Sequence, residues 1–78
     1  MTVEELLERV TSNPQIMGGE PCIRGTRIPV TLVLDWLASG ESMEDILEEY
    51  PTLTEDDVRA AIAYGSWSAK QRGHLTAS

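Results

Sequence analysis

The apolar residues near the start of the chain have the spacing of a helix. Val3, Leu6, Leu7 and Val10 follow the sequence Thr2-Val3-Glu4-Glu5, which is typical of a capping box. The pattern predicts an N-terminal segment over residues 1–12, with the helix itself over about 3–10. Asn13-Pro14 should end it, because the residue before proline disfavours helical backbone.

The helical pattern stops between Pro14 and Pro29. Two short stretches that are candidates for extended structure, 15–17 and 22–24, flank the pair Gly18-Gly19, which suits the positive φ of a tight turn. We expect a β-hairpin within the segment 14–28. A lone two-stranded hairpin is marginally stable in water, so this one should pair with another element, such as its copy in a second subunit.

Three closely spaced helices follow. We expect them over about 30–39, 43–50 and 55–65, with the last ending near Gly65 or continuing to Gln71. Short connections at 40–41 and 51–53 join them, which is the outline of a helix-turn-helix core over residues 29–66. The helix over 30–39 is apolar on nearly all sides, which favours a homodimer. Residues 67–78 are expected to form a tail.

Length, charge and composition exclude several classes of protein. A chain of 78 residues has room for one domain, 1–78, and its net charge of −7 argues against a general polyanion binder. No apolar run is long enough for a membrane span. The acidic start predicts no secretory signal, and the single cysteine suits a reducing compartment, so we expect a cytoplasmic protein.

Three stretches together carry a family resemblance. The run Pro14-Gln15-Ile16-Met17-Gly18-Gly19-Glu20-Pro21-Cys22-Ile23-Arg24-Gly25-Thr26-Arg27-Ile28-Pro29-Val30, with its Gly-Thr-Arg-Ile-Pro core, is the most specific. A later run, made of residues 37–42 and 46–54, and the stretch 58–64 continue the pattern in register. The chain resembles the small bacterial family called domain of unknown function 433.

The resemblance implies a mostly α-helical fold, a homeodomain-like or winged-helix-like three-helix bundle with a small N-terminal β element. It also implies an antitoxin, accompanied by a PIN-like protein that is a metal-dependent ribonuclease toxin. We therefore expect the chain to bind and neutralise such a toxin and to autoregulate by binding operator DNA. The alternatives are a DNA-binding transcriptional regulator without a toxin, and a purely structural interaction module.

Three arginines are candidates for contacting nucleic acid: Arg24, Arg27 and Arg59. The alternative for Arg24 and Arg27 is structural, with the guanidinium groups tying the loop together through backbone carbonyls or a nearby acid. The last helix begins with three acids, 55–57. They would be repelled by DNA, and they are also the residues that stabilise a helix N-terminus.

Partner binding is expected at two places. The basic, aromatic C-terminal arm supplies the candidates Trp67, Lys70 and Arg72, although a frayed terminus is the alternative. Residues 41–57 hold eight acids and no base, which suits a basic protein surface, although a solvated acidic face is the alternative. The candidate residues of the dimer interface are Ile16, Ile23, Leu32 and Trp36.

No catalytic constellation is visible, so we do not expect an enzyme, a cofactor or a bound metal. Cys22 lies next to a proline and has only His74 as an available base, which favours a packed apolar residue over a nucleophile. His74 has no second metal ligand at suitable spacing.

Overall fold

The computed structural model describes residues 1–15 and 17–71 of the chain. Within these ranges the protein is mostly helical, with four α-helices and one small antiparallel sheet. The helices are α1 (Val3–Leu7), α2 (Val30–Ala38), α3 (Met43–Glu49) and α4 (Glu55–Gln71). The strands are β1 (Val10–Thr11) and β2 (Cys22–Ile23), and a 3₁₀ turn covers Met17–Gly19.

The first helix is shorter than the sequence pattern predicts. Its capping box is present: the Thr2 hydroxyl accepts from the Glu5 N–H, and the Glu5 carboxylate accepts from the Thr2 N–H. The helix nevertheless ends at Leu7, and Val10 belongs to a strand. Val10 is equally suitable as an apolar residue of a helix or of a strand, so its helical spacing from Leu6 and Leu7 could not distinguish the two elements.

The predicted hairpin is wrong in its first strand. Among the described residues, the strand that pairs with β2 is β1, with Val10 opposite Ile23 and Thr11 opposite Cys22, and not the segment around Gln15 and Met17. The glycine pair forms part of the 3₁₀ turn, where Gly18 and Gly19 have φ of 66° and 87°. The connection between the two strands is therefore longer than a tight hairpin turn.

The last helix forms the centre of the fold. Helices α1, α2 and α3 and both strands pack against α4. Its residues Val58 and Ala61 join Ile23, Val33 and Ile46 in the main core, and all five are almost fully buried. A second, smaller cluster joins Leu6 to the same helix, through Ala60 and Ala63.

The structure distinguishes the two predicted endings of the last helix. α4 continues through Gly65 to Gln71, so residues 67–71 are helical and are not the start of a tail. The remainder of the predicted tail, 72–78, lies outside the described residues. Across the described ranges, no helix has the length and apolar character needed to cross a membrane.

Candidate functional site

The acidic start of α4, residues 55–57, is occupied by contacts within the chain. Thr54 and Asp57 form a capping box, because the Thr54 N–H donates to Asp57 Oδ2 at 3.0 Å and the Asp57 N–H donates to Thr54 Oγ1 at 3.2 Å. The other carboxylate oxygen of Asp57 accepts from Arg9 Nη1 at 3.0 Å. One carboxylate thus caps α4 and ties it to the segment between α1 and β1.

Two of the candidate nucleic-acid residues also have partners within the chain. Arg59 lies 3.4 Å from carboxylate oxygens of both Glu55 and Asp56, one helical turn before it. Arg24 Nη1 donates to the backbone oxygen of Glu8 at 3.1 Å. The structural alternative therefore applies to Arg24, whose guanidinium binds the carbonyl of Glu8 at the end of α1.

Arg27 differs from these two arginines. Its side chain is exposed and makes no hydrogen bond or ion pair with residues 1–15 or 17–71. It lines an open groove of about 670 Å³, here called the Arg27 groove, whose walls are residues 11–14 and 25–27. The sequence identified this arginine, and the structure adds the groove around it.

The C-terminal half of α4 presents aromatic surface. Trp67 is 43% exposed, and its ring lies 5.5 Å from that of Tyr64. Together with Leu7 from α1, these rings line a shallow depression, here called the aromatic patch. Lys70 lies exposed one turn further along. Arg72, the third partner-binding candidate, lies outside the described residues.

A second apolar depression lies between α2 and α4. Its volume is about 310 Å³, and its walls include Val30, Leu34, Tyr64 and Gly65. The helices approach closely there, since a Cβ added at Gly65 would lie 3.1 Å from Leu34 Cδ1. Tyr64 lines both this groove and the aromatic patch, so the two form neighbouring parts of one apolar surface.

The four candidate dimer residues have different environments. Ile23 is 1% exposed in the chain's own core, which corrects its assignment to an interface with a second copy. Trp36 is half-buried and packs on Tyr50, with ring centres 5.7 Å apart. Leu32 is half-buried and belongs to neither core cluster. Ile16 lies outside the described residues.

The thiol and the exposed capping acids have shifted pKa values. Burial raises the pKa of Cys22, and its Sγ contacts the Glu20 backbone oxygen at 3.4 Å, so it is packed as expected. The Ser42 backbone N–H, followed by its hydroxyl, lowers the pKa of Asp45. In the same way, Thr2 lowers the pKa of Glu5. No group of three potential metal ligands occurs among the described residues.

The sequence pattern of the family described as a protein of unknown function, DUF433, matches residues 10–65. The chain belongs to the DUF433 family. It is similar to the uncharacterised protein y4eO of Sinorhizobium fredii, with 47% identity over 57 residues. That match covers 73% of this chain and 26% of y4eO, so the chain spans about a quarter of the length of this relative.

The fold is also similar to a solved DUF433 structure. The crystal structure of a member from Anabaena variabilis superposes with a TM-score of 0.76 at 33% sequence identity. The match covers 88% of this chain and 68% of the Anabaena chain. The DUF433 match at residues 10–65 contains the whole Arg27 groove, whereas Leu7 and Trp67 of the aromatic patch lie beyond it.

Proposed function

We propose that this DUF433 protein is antitoxin-like: it binds and neutralises a PIN-like ribonuclease, with the C-terminal half of α4 as its main contact. In this proposal α2, α3 and α4 form a helix-turn-helix core that supports the contact surface. A ribonuclease partner also implies a cytoplasmic location for the pair.

The exposed aromatic patch carries this proposal. Tryptophan and tyrosine are enriched among the residues that contribute most to protein interfaces, because they bury a large area with little loss of conformational entropy. The Trp67 ring lies tilted against that of Tyr64 with ring centres 5.5 Å apart, and Trp67 still exposes 43% of its surface. A partner covering this patch would also reach the apolar groove between α2 and α4.

The charge distribution supports the same partner. Residues 41–57 hold eight acids and no base, and most of these side chains are exposed. A ribonuclease needs a basic surface to hold RNA, so the two surfaces would attract each other.

The proposal is tested by titrating the ribonuclease activity of the PIN-like product of a neighbouring gene. Trp67→Ala should weaken inhibition by about tenfold or more, equivalent to about 1.4 kcal/mol. Ile62→Ala is the matched control, because Ile62 lies on the same helix, is 46% exposed and lies outside the aromatic patch. Equal inhibition by wild type and Trp67→Ala would contradict the proposed contact.

Operator binding and a regulator without a toxin are the alternative functions. Arg24 and Arg59 are both engaged within the chain, and three acids stand at the start of the proposed recognition helix. These contacts favour protein binding over DNA binding as the main role. A gel shift with promoter DNA at several salt concentrations separates the alternatives, since phosphate contacts give a measurable salt slope. A structural interaction module would neither inhibit the ribonuclease nor bind promoter DNA.

A homodimer is a further part of the proposal, with Leu32 in its interface. Leu32 is half-buried without joining either core cluster, so a charge there should disturb a dimer more than the fold. Leu32→Glu should yield a folded monomer, measured by sedimentation and circular dichroism, while Ala38→Glu, at an exposed position of the same helix, serves as the control. A wild-type chain that sediments as a folded monomer at micromolar concentration would contradict the dimer.

A further inference from the structure

We propose that the Arg27 groove is a binding site for a phosphate group. The groove is formed where the loop after β2 approaches the loop after β1. It shares no lining residue with the aromatic patch, so it is a separate site from the proposed ribonuclease contact. The site depends on three features: an available guanidinium, neutral hydrogen-bond donors beside it, and walls without acids.

Arg27 is available in a way that the other described arginines are not. Arg9 pairs with Asp57, Arg59 forms ion pairs with two acids of its own helix, and Arg24 binds a backbone carbonyl. Arg27 makes no such contact with the described residues, and its side chain is exposed. A guanidinium donates several hydrogen bonds in a planar fork, which matches two oxygens of a phosphate group.

The backbone beside Arg27 is fixed by its own hydrogen bonds. The Thr26 N–H donates to the Ile23 oxygen at 3.0 Å, and Gly25 has a φ of 80°, which glycine adopts at little cost. The Thr26 hydroxyl donates to the Ile23 oxygen at 2.7 Å and accepts from the Ile28 N–H at 3.0 Å. The side chain of Arg27 therefore starts from a hydrogen-bonded turn, which places Arg27 at the wall of the groove.

The opposite wall offers neutral donors. Asn13 uses its side-chain oxygen to accept from the Gln15 N–H at 2.9 Å, while its amide NH₂ has no acceptor among residues 1–15 and 17–71. The Thr11 hydroxyl likewise has no hydrogen-bond partner in those ranges. Both side chains are exposed and line the groove. Donors of this kind complement the phosphate oxygens that the guanidinium leaves unbound.

The absence of carboxylates from the groove favours an anion. The chain holds 13 acidic residues, and none of them lies in the walls of the Arg27 groove. An acid in the walls would pair with the guanidinium and repel a phosphate, as the acids around Arg59 do. With neutral donors and one unpaired cation, the groove has the charge that a phosphate requires.

The test is a nuclear magnetic resonance titration of the full chain with inorganic phosphate, with chloride holding ionic strength constant. The amides of Gly25, Thr26 and Arg27 should shift and saturate. Arg27→Gln should weaken binding by about tenfold or more, because it removes charge-assisted hydrogen bonds. Arg59→Gln is the matched control, since it removes the same charge from a paired arginine outside the groove and should bind as wild type does.

A second arm identifies the source of the phosphate. If duplex DNA shifts the same amides and Arg27→Gln removes the effect, the site takes the phosphodiester of nucleic acid. If inorganic phosphate alone shifts them, it takes a free phosphate group. Unsaturated shifts, equal binding by wild type and Arg27→Gln, or equal weakening by both variants would overturn the site, whatever the outcome of the ribonuclease assay.

Discussion

The two halves of α4 use their side chains in opposite ways. In the first half, the charged groups contact one another: Asp57 caps the helix and holds Arg9, while Arg59 lies beside Glu55 and Asp56. In the second half, aromatic and small residues border two apolar depressions. The first half therefore stabilises the fold, whereas the second half leaves apolar and aromatic side chains at the surface.

This difference bears on the choice between DNA and protein as partner. A recognition helix reads DNA through the side chains at its N-terminal end. In the proposed helix-turn-helix, α4 is the recognition helix, and its N-terminal end carries acids whose oxygens already accept hydrogen bonds from the chain itself. The aromatic patch requires no such contacts to be broken before a partner binds. The comparison thus favours the C-terminal half of α4 for function.

The largest expected effect is at Asp57. Asp57→Ala removes the capping hydrogen bond to Thr54 and leaves the half-buried Arg9 without its nearest carboxylate. We expect a loss of about 2 kcal/mol in the free energy of unfolding, measured by urea denaturation. Glu55→Ala should cost only about 0.3 kcal/mol, because both partners of its ion pair are largely exposed. Equal losses would contradict the distinction between them.

The elements that sequence predicted correctly depend on short-range chemistry. The capping box predicted at Thr2 involves residues three positions apart and is present in the structure, where Ser42 and Thr54 form two more at the same spacing. The pairing of β1 with β2 joins residues 13 positions apart at Val10 and Ile23, and local patterns did not predict it. The contact of Arg9 with Asp57 spans 48 positions and was missed for the same reason.

The candidate sites were predicted less completely than the fold. Trp67 was identified from its residue type but assigned to a tail, although its spacing from Tyr64 places both on one helix face. The signal that places Trp67 in the last helix is the helical spacing that continues to Gln71. The Arg27 groove could not be predicted, because its two walls come from loops whose approach depends on the β1–β2 pairing.

A smaller change in stability is expected at Gly65, in the second half of α4. Gly65→Ala removes the helix penalty of glycine, about 1 kcal/mol, but places a Cβ 3.1 Å from Leu34 Cδ1. Leu34 borders the apolar groove and has room to move, so we expect a net gain of about 0.5 kcal/mol by thermal denaturation. Gly40→Ala is the control that should destabilise, because Gly40 has a φ of 102°. Destabilisation by Gly65→Ala would show that this half of α4 is as closely packed as the first.

The smallest expected effect is the pH dependence of the stability that Asp45 contributes at the start of α3. Like the first half of α4, α3 uses an acid for capping. The Ser42 N–H donates to Asp45 Oδ2 at 3.0 Å, and the pKa of Asp45 is lowered in the folded protein. A carboxyl with a lowered folded pKa stabilises the protein above its unfolded pKa of about 3.9, and this stability is lost as pH falls through the folded pKa.

Asp45→Asn isolates this contribution, because asparagine keeps an oxygen that can accept the hydrogen bond but does not ionise over the same range. We expect the stability difference between wild type and Asp45→Asn to be constant near neutral pH and to decrease below about pH 4, measured by urea denaturation across that range. Glu5, whose pKa is lowered by Thr2, is present in both proteins and cancels from the comparison. A difference that stays constant down to the folded pKa would mean that the charge of Asp45 adds nothing to its role as a hydrogen-bond acceptor.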